Sequence, residues 1–309
     1  MTLTRRILYF GFLAAEELVE EALSHESSPQ VSAVKFQMSL LSGLAKRGVK
    51  VTAFTALPIA SYPRSTILCA PSTGFELFGG SVQGQLIGGL NLPVIKLLSR
   101  VFKLLSMTAG RKERKADVVV VYSLHTPFLL AAILLKWVRN IKLVIFVPDL
   151  PMYMHGEAPA GLHGLLKRID DRLLGTLVKQ FDLAVPFAKS IADEWLPPDI
   201  KYVVVEGVMP AAETCEPSYT EKKRLGPVRL MYTGSFTQVA RFATLFSQLE
   251  DLHVELIFVG DGADLSELRA LSAQDPRIRV VPFADESGLA KLIKEADFLL
   301  NPRYSGWPG

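Results

Sequence analysis

Cysteine is scarce in this 309-residue sequence, which contains only Cys69 and Cys215. Two cysteines this far apart cannot build a disulfide framework, and they do not have the spacing of metal ligands. His155 and His163 flank a glycine-containing loop, but no third ligand accompanies them. We therefore predict a chain that folds in a reducing, cytosolic setting and holds no metal site.

Long apolar runs are also missing. A membrane-spanning helix needs roughly 18 to 20 consecutive apolar residues. The longest candidate, Pro127 to Leu135, is followed by Lys136 and Arg139, which favours a helix buried in an α/β core. Hydrophobic residues make up 49% of the chain and the mean hydropathy is +0.27, a globular composition with an apolar lean.

The net charge of +3 is too small to indicate a nucleic-acid partner. Residues 96–115 nevertheless carry seven cations and a single acid. Lys96, Arg100 and Lys103 recur at helical spacing, so they are predicted to share one side of a helix. Two interpretations stay open: the solvated basic face of a crossover helix, or a basic amphipathic helix that contacts an anionic membrane surface.

Strand and helix patterns alternate along most of the chain, which predicts an α/β fold with two doubly wound, parallel-sheet, Rossmann-like domains. The first domain is expected at residues 1–210, with its last strand at 201–208. A polar, proline-flanked linker follows at 211–227. The second domain, residues 228–309, has a pattern for only four strands and is expected to be incomplete.

Glycine turns follow two predicted strands of the second domain. Gly234 and Ser235 end the first strand, where backbone amides and the positive end of the following helix can meet a phosphate. Gly260, Asp261 and Gly262 end the next strand, and Asp261 could serve as a helix N-cap or meet a ribose hydroxyl. Arg241, on the intervening helix, is a candidate for a diphosphate or simply an exposed cation. Asp264 is expected to cap the helix that begins after it.

In the first domain, polar residues follow predicted strands at the edge where open parallel sheets bind ligands. His125 directly follows a buried strand and either contacts a substrate hydroxyl or caps the next helix. Asp149 lies between two prolines that fix its loop. Lys35, early on the first long helix, could meet an anionic acceptor or remain a solvated lysine.

Several segments in order resemble retaining nucleotide-sugar glycosyltransferases of the two-Rossmann GT-B type, in the large group known as family four. Bacterial exopolysaccharide and cell-envelope enzymes are the most similar in appearance. The segments are SAVKFQMSLLSGLAKRG, VVYSLHTPF, FVPDLPMYM, EGVMP, LMYTGSF, FVGDGADLSEL and ADFLLNPR.

This resemblance implies a hexosyltransferase that moves a sugar from a nucleoside-diphosphate donor to a lipid-linked or saccharide acceptor with retention and without a cofactor. The first domain would bind the acceptor and the second the donor, with catalysis between them. His125 would be the catalytic histidine, which contacts the donor sugar. The donor-binding residues would be Gly234, Ser235, Arg241, Gly260, Asp261, Gly262 and Arg303, and the acceptor side would include Lys35 and Asp149. The expected location is cytoplasmic, peripheral on the inner face of the cytoplasmic membrane through Lys96, Arg100 and Lys103.

The sequence also departs from the family pattern. Gly11 is followed by Phe12 where the family often has a glycine pair, and no lysine accompanies Arg241. The sequence ends shortly after Arg303, before the family's Glu-x7-Glu segment and closing helix. These departures predict a fragment or frameshifted product whose second domain folds poorly and has little or no activity. Two alternatives to an active transferase stay open: an inactive binding or scaffold protein of the same fold, and a sugar-nucleotide epimerase.

Overall fold

The computed structural model describes residues 6–14, 18, 31–62, 65–93, 95–109, 116–150, 162–208, 226–237, 239–249, 252–282 and 286–301. The chain divides into two compact units, Met1–Glu216 and Pro217–Pro308, which we call the first and second unit. No helix within the described ranges combines the length and the apolarity that crossing a bilayer requires.

The described helices and strands alternate along most of the chain. The helices are α1 (Val31–Lys46), α2 (Ile95–Met107), α3 (Thr126–Arg139), α4 (Leu162–Val178), α5 (Lys189–Trp195), α6 (Ala240–Ser247), α7 (Leu265–Gln274) and α8 (Glu286–Glu295). The strands of the first unit are β1 (Arg6–Gly11), β2 (Lys50–Thr55), β3 (Cys69–Ala70), β4 (Gly74–Leu77), β5 (Val82–Leu86), β6 (Gly89–Leu90), β7 (Val118–Tyr122), β8 (Lys142–Val147) and β9 (Leu183–Pro186). Those of the second unit are β10 (Val228–Ser235), β11 (Val254–Asp261), β12 (Ile278–Val281) and β13 (Phe298–Leu299).

The first unit is built on a seven-stranded sheet in the order β4-β5-β2-β1-β7-β8-β9. Its neighbouring strands are parallel except β4, which pairs antiparallel with β5. The predicted parallel sheet therefore carries one antiparallel strand at this edge. The residues between β4 and β5 form a tight turn that includes Gly79 and Gly80, both at positive φ, and such a turn can join only antiparallel strands.

Both faces of this sheet are buried, because side chains alternate between two hydrophobic clusters. Along β1, Leu8 and Phe10 enter one cluster while Tyr9 enters the other. Along β7, Val119 and Val121 point to the first cluster and Val120 to the second. Strands buried on both faces read as continuous apolar runs, which is why the sequence pattern located them.

The strand order reverses at β1, which lies between β2 and β7. The chain winds outward from β1 to β2 on one side and later returns to β7 on the other. In open α/β sheets the loops that leave such a point diverge and create a crevice at the carboxyl ends of the strands. Here those loops begin with Phe12 after β1 and Ser123 after β7.

The second unit contains a four-stranded parallel sheet in the order β12-β11-β10-β13, confirming the expected strand count. Phe236, Phe258 and Leu268 fill the core on one face, and Met231, Ile257 and Leu292 fill it on the other. The order reverses at β10, between β11 and β13, so the turn after β10 lies at the switch point of this sheet.

The strand predicted at residues 201–208 is not a regular strand. Tyr202 forms an isolated bridge with Ala184, and the amides of Val203 and Val205 donate to the carbonyls of Ala184 and Pro186. The segment therefore lies along β9, the edge of the sheet, through a few backbone bonds only. The apolar residues of this segment are explained by its position along β9, although it does not pair as an eighth strand of the sheet.

Candidate functional site

His125 lies at the switch point of the first sheet. Ser123, directly after β7, adopts a left-handed backbone conformation with a φ of 68° and turns the chain out of the sheet. The carbonyl of Ser123 accepts a hydrogen bond from the amide of His125 at 2.9 Å. His125 occupies the N-cap position of α3, but its side chain makes no capping hydrogen bond, which leaves the imidazole available for other contacts.

The imidazole is enclosed by two aromatic rings and one guanidinium. The rings of Phe12 and Phe128 contact it edge to face, with centroid distances of 5.0 Å and 4.7 Å. Nη1 of Arg100 lies 2.9 Å from Nε2 of His125. Because arginine can only donate, Nε2 must be the acceptor and the ring proton must sit on Nδ1.

This environment keeps His125 neutral. Burial, followed by the positive charges of Arg100 and Lys96, holds the pKa of His125 well below its usual value. Burial also lowers the pKa of Arg100 to about 10, so the guanidinium stays charged at neutral pH. The pair therefore presents a charged donor and a neutral imidazole with one remaining N–H, which can donate to a substrate hydroxyl.

Gln37 fixes the loop that carries Phe12. Its side chain is fully buried on α1, where it accepts from the Phe12 amide at 2.8 Å and donates to the Phe12 carbonyl at 3.1 Å. Tyr9 also donates its hydroxyl to Gln37 at 3.0 Å. Gln37 is not among the predicted site residues. The available signal was a glutamine among the apolar residues of α1.

The two predicted acceptor-side residues are exposed. Asp149 follows β8, the neighbour of β7, and its charge, after burial, contributes to raising the pKa of Tyr122 at the end of β7. Asp149 therefore lies along the same sheet edge as His125. Lys35 lies on the first helical turns of α1, and no described contact links it to His125.

The cations of α2 point the opposite way from the prediction. Arg100 is 6% exposed and Lys96 is 8% exposed. Lys96 Nζ donates to the Ile59 carbonyl at 2.8 Å, and Lys103 Nζ donates to the Gly88 carbonyl at 2.6 Å. The prediction that these three cations form an outward face, either solvated or on a membrane, is wrong because carbonyl oxygens and His125 hold them against the protein.

The outward side of α2 is apolar. Ile95, Leu98 and Phe102 are spaced at three and four residues along it and are 48%, 58% and 71% exposed. We call these three residues the α2 apolar stripe. A helix with buried cations and an exposed apolar stripe inverts the usual amphipathic arrangement.

The predicted donor-site glycines meet at the carboxyl edge of the second sheet. Gly234 pairs in register with Gly260, and Ser235 pairs with Asp261. Gly234, Gly260 and Gly262 have φ values of 151°, 148° and 151°, which other residues rarely adopt. A Cβ on Gly260 would overlap the Gly234 carbonyl oxygen, so the two strand ends approach as closely as only glycine allows.

Asp264 caps a different helix from the predicted one. Its Oδ2 accepts from the amides of Val239 at 2.6 Å and Ala240 at 3.0 Å, at the start of α6, and it makes no capping bond to α7. The prediction that Asp264 caps its own helix is therefore wrong. The carboxylate also occupies the amides of α6 that were expected to face a phosphate, so the positive end of α6 is already neutralised.

Ser235, Asp261 and Arg241 are exposed beside this edge. Ser235 Oγ lies 3.0 Å from Thr237 Oγ1, and Asp261 Oδ1 accepts from the Gly262 amide at 2.7 Å. Arg241 lies on the first turn of α6, and Arg303 lies outside the described residues. Among the described residues, no group of three or more His, Cys, Asp or Glu side chains is arranged to hold a metal ion.

No protein-family model and no curated protein matches the sequence. Solved structures of three proteins align over nearly the whole chain at low sequence identity. Sucrose-phosphate synthase from Thermosynechococcus elongatus has 15% identity and a TM-score of 0.61, covering 97% of this chain and 76% of its own. The Anabaena protein HepE in complex with UDP has 13% identity and a TM-score of 0.58, covering 95% and 73%.

The third similar structure is the apo form of the lipopolysaccharide outer core galactosyltransferase WaaB, with 12% identity and a TM-score of 0.55. The alignment covers 95% of this chain and 73% of WaaB. Likeness at this identity establishes architecture and not activity. The chain has the GT-B fold, with two Rossmann-like α/β units, as the sequence predicted.

Proposed function

We propose that this chain is a glycosyltransferase of the hexosyltransferase type that uses a nucleoside-diphosphate sugar as donor. The observation that carries this proposal is the glycine-lined edge of the second sheet, where Gly234 and Gly260 pair in register at the switch point. Such an edge lets a phosphate or ribose approach the backbone. The similar HepE structure holds UDP, which supports a nucleotide as the ligand.

At this edge the donor would contact the Gly234 and Gly260 backbone, the hydroxyl of Ser235 and the carboxylate of Asp261. Asp264 satisfies the first amides of α6, so the diphosphate would depend on cations for compensation of its charge. Arg241 and Arg303 are the proposed cations, and no metal is required in this arrangement. Backbone amides and arginines then stabilise the departing diphosphate.

On the first unit, His125 would donate its Nδ1 proton to a sugar hydroxyl, since Arg100 occupies Nε2. Asp149 and Lys35 would contact a lipid-linked or saccharide acceptor. In a retaining transfer the bond between the anomeric carbon and the diphosphate oxygen breaks, and a bond to the acceptor oxygen forms on the same face. The proton of the acceptor hydroxyl leaves with the diphosphate, so positioning supplies most of the catalysis.

We further propose that the chain works on the cytoplasmic face of the membrane, in envelope or exopolysaccharide synthesis. The support is the α2 apolar stripe, which a lipid surface would cover. Four cations, Arg111, Lys112, Arg114 and Lys115, follow α2 in the sequence and lie outside the described residues. Cations beside an apolar surface suit anionic lipids.

Calorimetric titration with UDP and UDP-sugars tests the donor site. We expect Asp261→Asn to weaken binding by about tenfold, the loss of one hydrogen bond to a charged group. Glu267→Gln, at an exposed position on α7 of the same unit, is the matched control and should bind like the wild type. Absence of heat with every nucleotide sugar would instead identify an inactive scaffold.

Product analysis separates transfer from epimerisation. With a saccharide or lipid-linked acceptor present, transfer yields a glycosylated acceptor that keeps the anomeric configuration of the donor. Conversion of the nucleotide sugar itself, with no acceptor added, would overturn the transferase proposal and favour an epimerase.

A further inference from the structure

Arg100 is a buried cation without a described counter-ion. Its Nη1 donates to His125, and its guanidinium lies 5.8 Å from the centre of the Phe12 ring. No carboxylate of the described residues lies at ion-pair distance from it. A buried charge with only neutral partners is costly, and a guanidinium has five N–H donors to satisfy. Buried charges with strongly shifted pKa values cluster at sites where they bind a ligand or take part in catalysis.

A pocket lies beside this guanidinium. Its lining includes Gly88, Gly89, Asn91, Lys96, Ser99 and Arg100. The empty volume of the pocket is about 220 Å³ including its opening to solvent, and the space available to the centre of a water-sized group is ≈10 Å³. An enclosure of this size accommodates one water-sized group, and a single phosphoryl oxygen is such a group. The pocket therefore suits the tip of an anion and not a whole sugar ring.

Gly89 lies in the lining of the pocket with a φ of 137°, a backbone conformation that favours glycine. A Cβ at this position would make ordinary contacts, 3.4 Å from Lys103 Nζ and 3.8 Å from Ser99 Oγ. The pocket lining is mixed: apolar residues lie beside backbone, the Asn91 amide, the Ser99 hydroxyl and two cations, Lys96 and Arg100. The hydroxyl and the cations are donors from which phosphoryl oxygens can accept.

We propose that this pocket binds a phosphoryl group of the acceptor substrate, with Arg100 as its principal ligand and Lys96 and Ser99 beside it. The proposal rests on the transferase function proposed above and extends it to the acceptor. The α2 apolar stripe lies on the same helix, so a lipid attached to that phosphoryl group has an apolar surface nearby. The pocket thus selects phosphorylated acceptors, either lipid diphosphates or soluble sugar phosphates.

Occupancy of the pocket has a consequence for His125. The charges of Arg100 and Lys96 contribute to the low pKa of His125. An anion bound to Arg100 cancels part of that positive potential and raises the pKa of His125 toward its ordinary value. A purely structural Arg100 would show no such response, so the imidazole reports on anion binding.

The test titrates inorganic pyrophosphate into the full chain saturated with UDP, so that the donor edge is already occupied. We expect Arg100→Gln to weaken pyrophosphate binding by at least about tenfold, and Arg100→Lys to weaken it less because the charge remains. Arg139→Gln is the matched control, since Arg139 donates to the Thr108 carbonyl elsewhere in the first unit and does not line the pocket. Circular dichroism verifies that each variant folds.

Nuclear magnetic resonance of the histidine rings in the wild type supplies a readout that needs no variant. Pyrophosphate should raise the pKa of His125. Any one of three results would overturn the proposal. UDP could abolish pyrophosphate binding, Arg100→Gln could leave it intact, or the titration of His125 could stay unchanged when pyrophosphate is added.

A second titration with geranyl diphosphate distinguishes the source of the phosphoryl group. Tighter binding than pyrophosphate, with the gain lost in Phe102→Ser, supports the site and identifies a lipid acceptor. Equal binding of the two probes supports the site and identifies a soluble phosphate acceptor. Pyrophosphate binding through Arg100 in a chain that binds no nucleotide sugar would leave this site standing while refuting the transferase function.

Discussion

The protonation state of His125 depends on Arg100 and Phe12, which are far from it in sequence, and on Phe128, three residues further along the chain. Arg100 bonds to Nε2, and Phe12 and Phe128 exclude water from the ring. Each of these contacts favours the neutral imidazole, because a protonated ring would be both desolvated and beside a second cation. His125 is thus suited to hydrogen bonding and not to carrying a charge at neutral pH.

This state predicts a pH-dependent stability. The unfolded chain binds a proton at His125 near pH 6.5, whereas the folded chain binds it only at lower pH. The contribution of neutral His125 to the unfolding free energy is therefore fully present above pH 6.5. It is lost as the pH falls from 6.5 toward the pKa that His125 has in the folded chain. Between pH 7.5 and pH 5, we expect the unfolding free energy of the wild type to fall by about 1 to 2 kcal/mol more than that of His125→Asn, because the variant lacks the titrating imidazole.

Urea unfolding at the two pH values measures this difference. His253→Asn removes an exposed imidazole from the second unit and controls for the loss of one histidine. Equal pH dependence in the wild type and in His125→Asn would contradict the buried, neutral assignment.

The sequence located His125 but could not reveal its partner. A histidine after an apolar strand and before Thr126-Pro127 is visible in the local pattern. The contact with Arg100 depends on the rotation of α2 about its axis, which is decided by packing. Gln37 poses the same difficulty, because its role follows from the position of the Phe12 loop and not from its neighbours in α1.

At the scale of elements, α2 shows why helical periodicity alone can mislead. Its spacing separates cations from apolar residues, and composition favours the apolar side as the buried one. In the folded chain the carbonyls of Ile59 and Gly88 and the ring of His125 offer acceptors that draw the cations inward. Those acceptors come from three other segments, so no reading of α2 by itself could include them.

Asp264 connects two helices of the second unit and predicts a measurable loss on substitution. Asp264→Ala leaves the amides of Val239 and Ala240 without their acceptor at the start of α6. We expect a loss of about 1 to 2 kcal/mol in unfolding free energy, as for other helix caps. Asp264→Asn keeps one carbonyl oxygen and should lose less.

Urea unfolding followed by circular dichroism checks this order of stability. Glu267→Ala, at an exposed position on α7, controls for the removal of a carboxylate from this region. If Asp264→Ala were no less stable than Glu267→Ala, the assignment of Asp264 as the cap of α6 would fail.

At the scale of the whole molecule, the double alternation of strands and helices was predictable because parallel strands buried on both faces leave a strong apolar signal. The runs of β1, β7 and β11 are examples. The hairpin of β4 and β5 was less accessible, since its strands are short, polar and at the sheet edge. The glycine turns of the proposed donor edge were visible in the sequence, whereas the proposed anion pocket was not, because its lining comes from β3, β6, the loops beside β6 and the inward side of α2.

The proposed membrane contact through the α2 apolar stripe predicts that replacing the stripe weakens association of the chain with lipid vesicles. Burial of a Leu or Phe side chain contributes about 1.5 to 3 kcal/mol when it is complete. Leu98→Ser combined with Phe102→Ser should therefore lower the partition coefficient for anionic phosphatidylglycerol vesicles, measured by sedimentation, by at least about tenfold.

Val138→Ser combined with Leu245→Ser is the control, because it removes two other exposed apolar side chains and should leave sedimentation unchanged. Because the proposed contact is apolar, residual wild-type binding should persist at 1 M salt, where electrostatic attraction is screened within roughly 3 Å. Equal sedimentation of both double variants would show that the membrane, if bound at all, is contacted elsewhere.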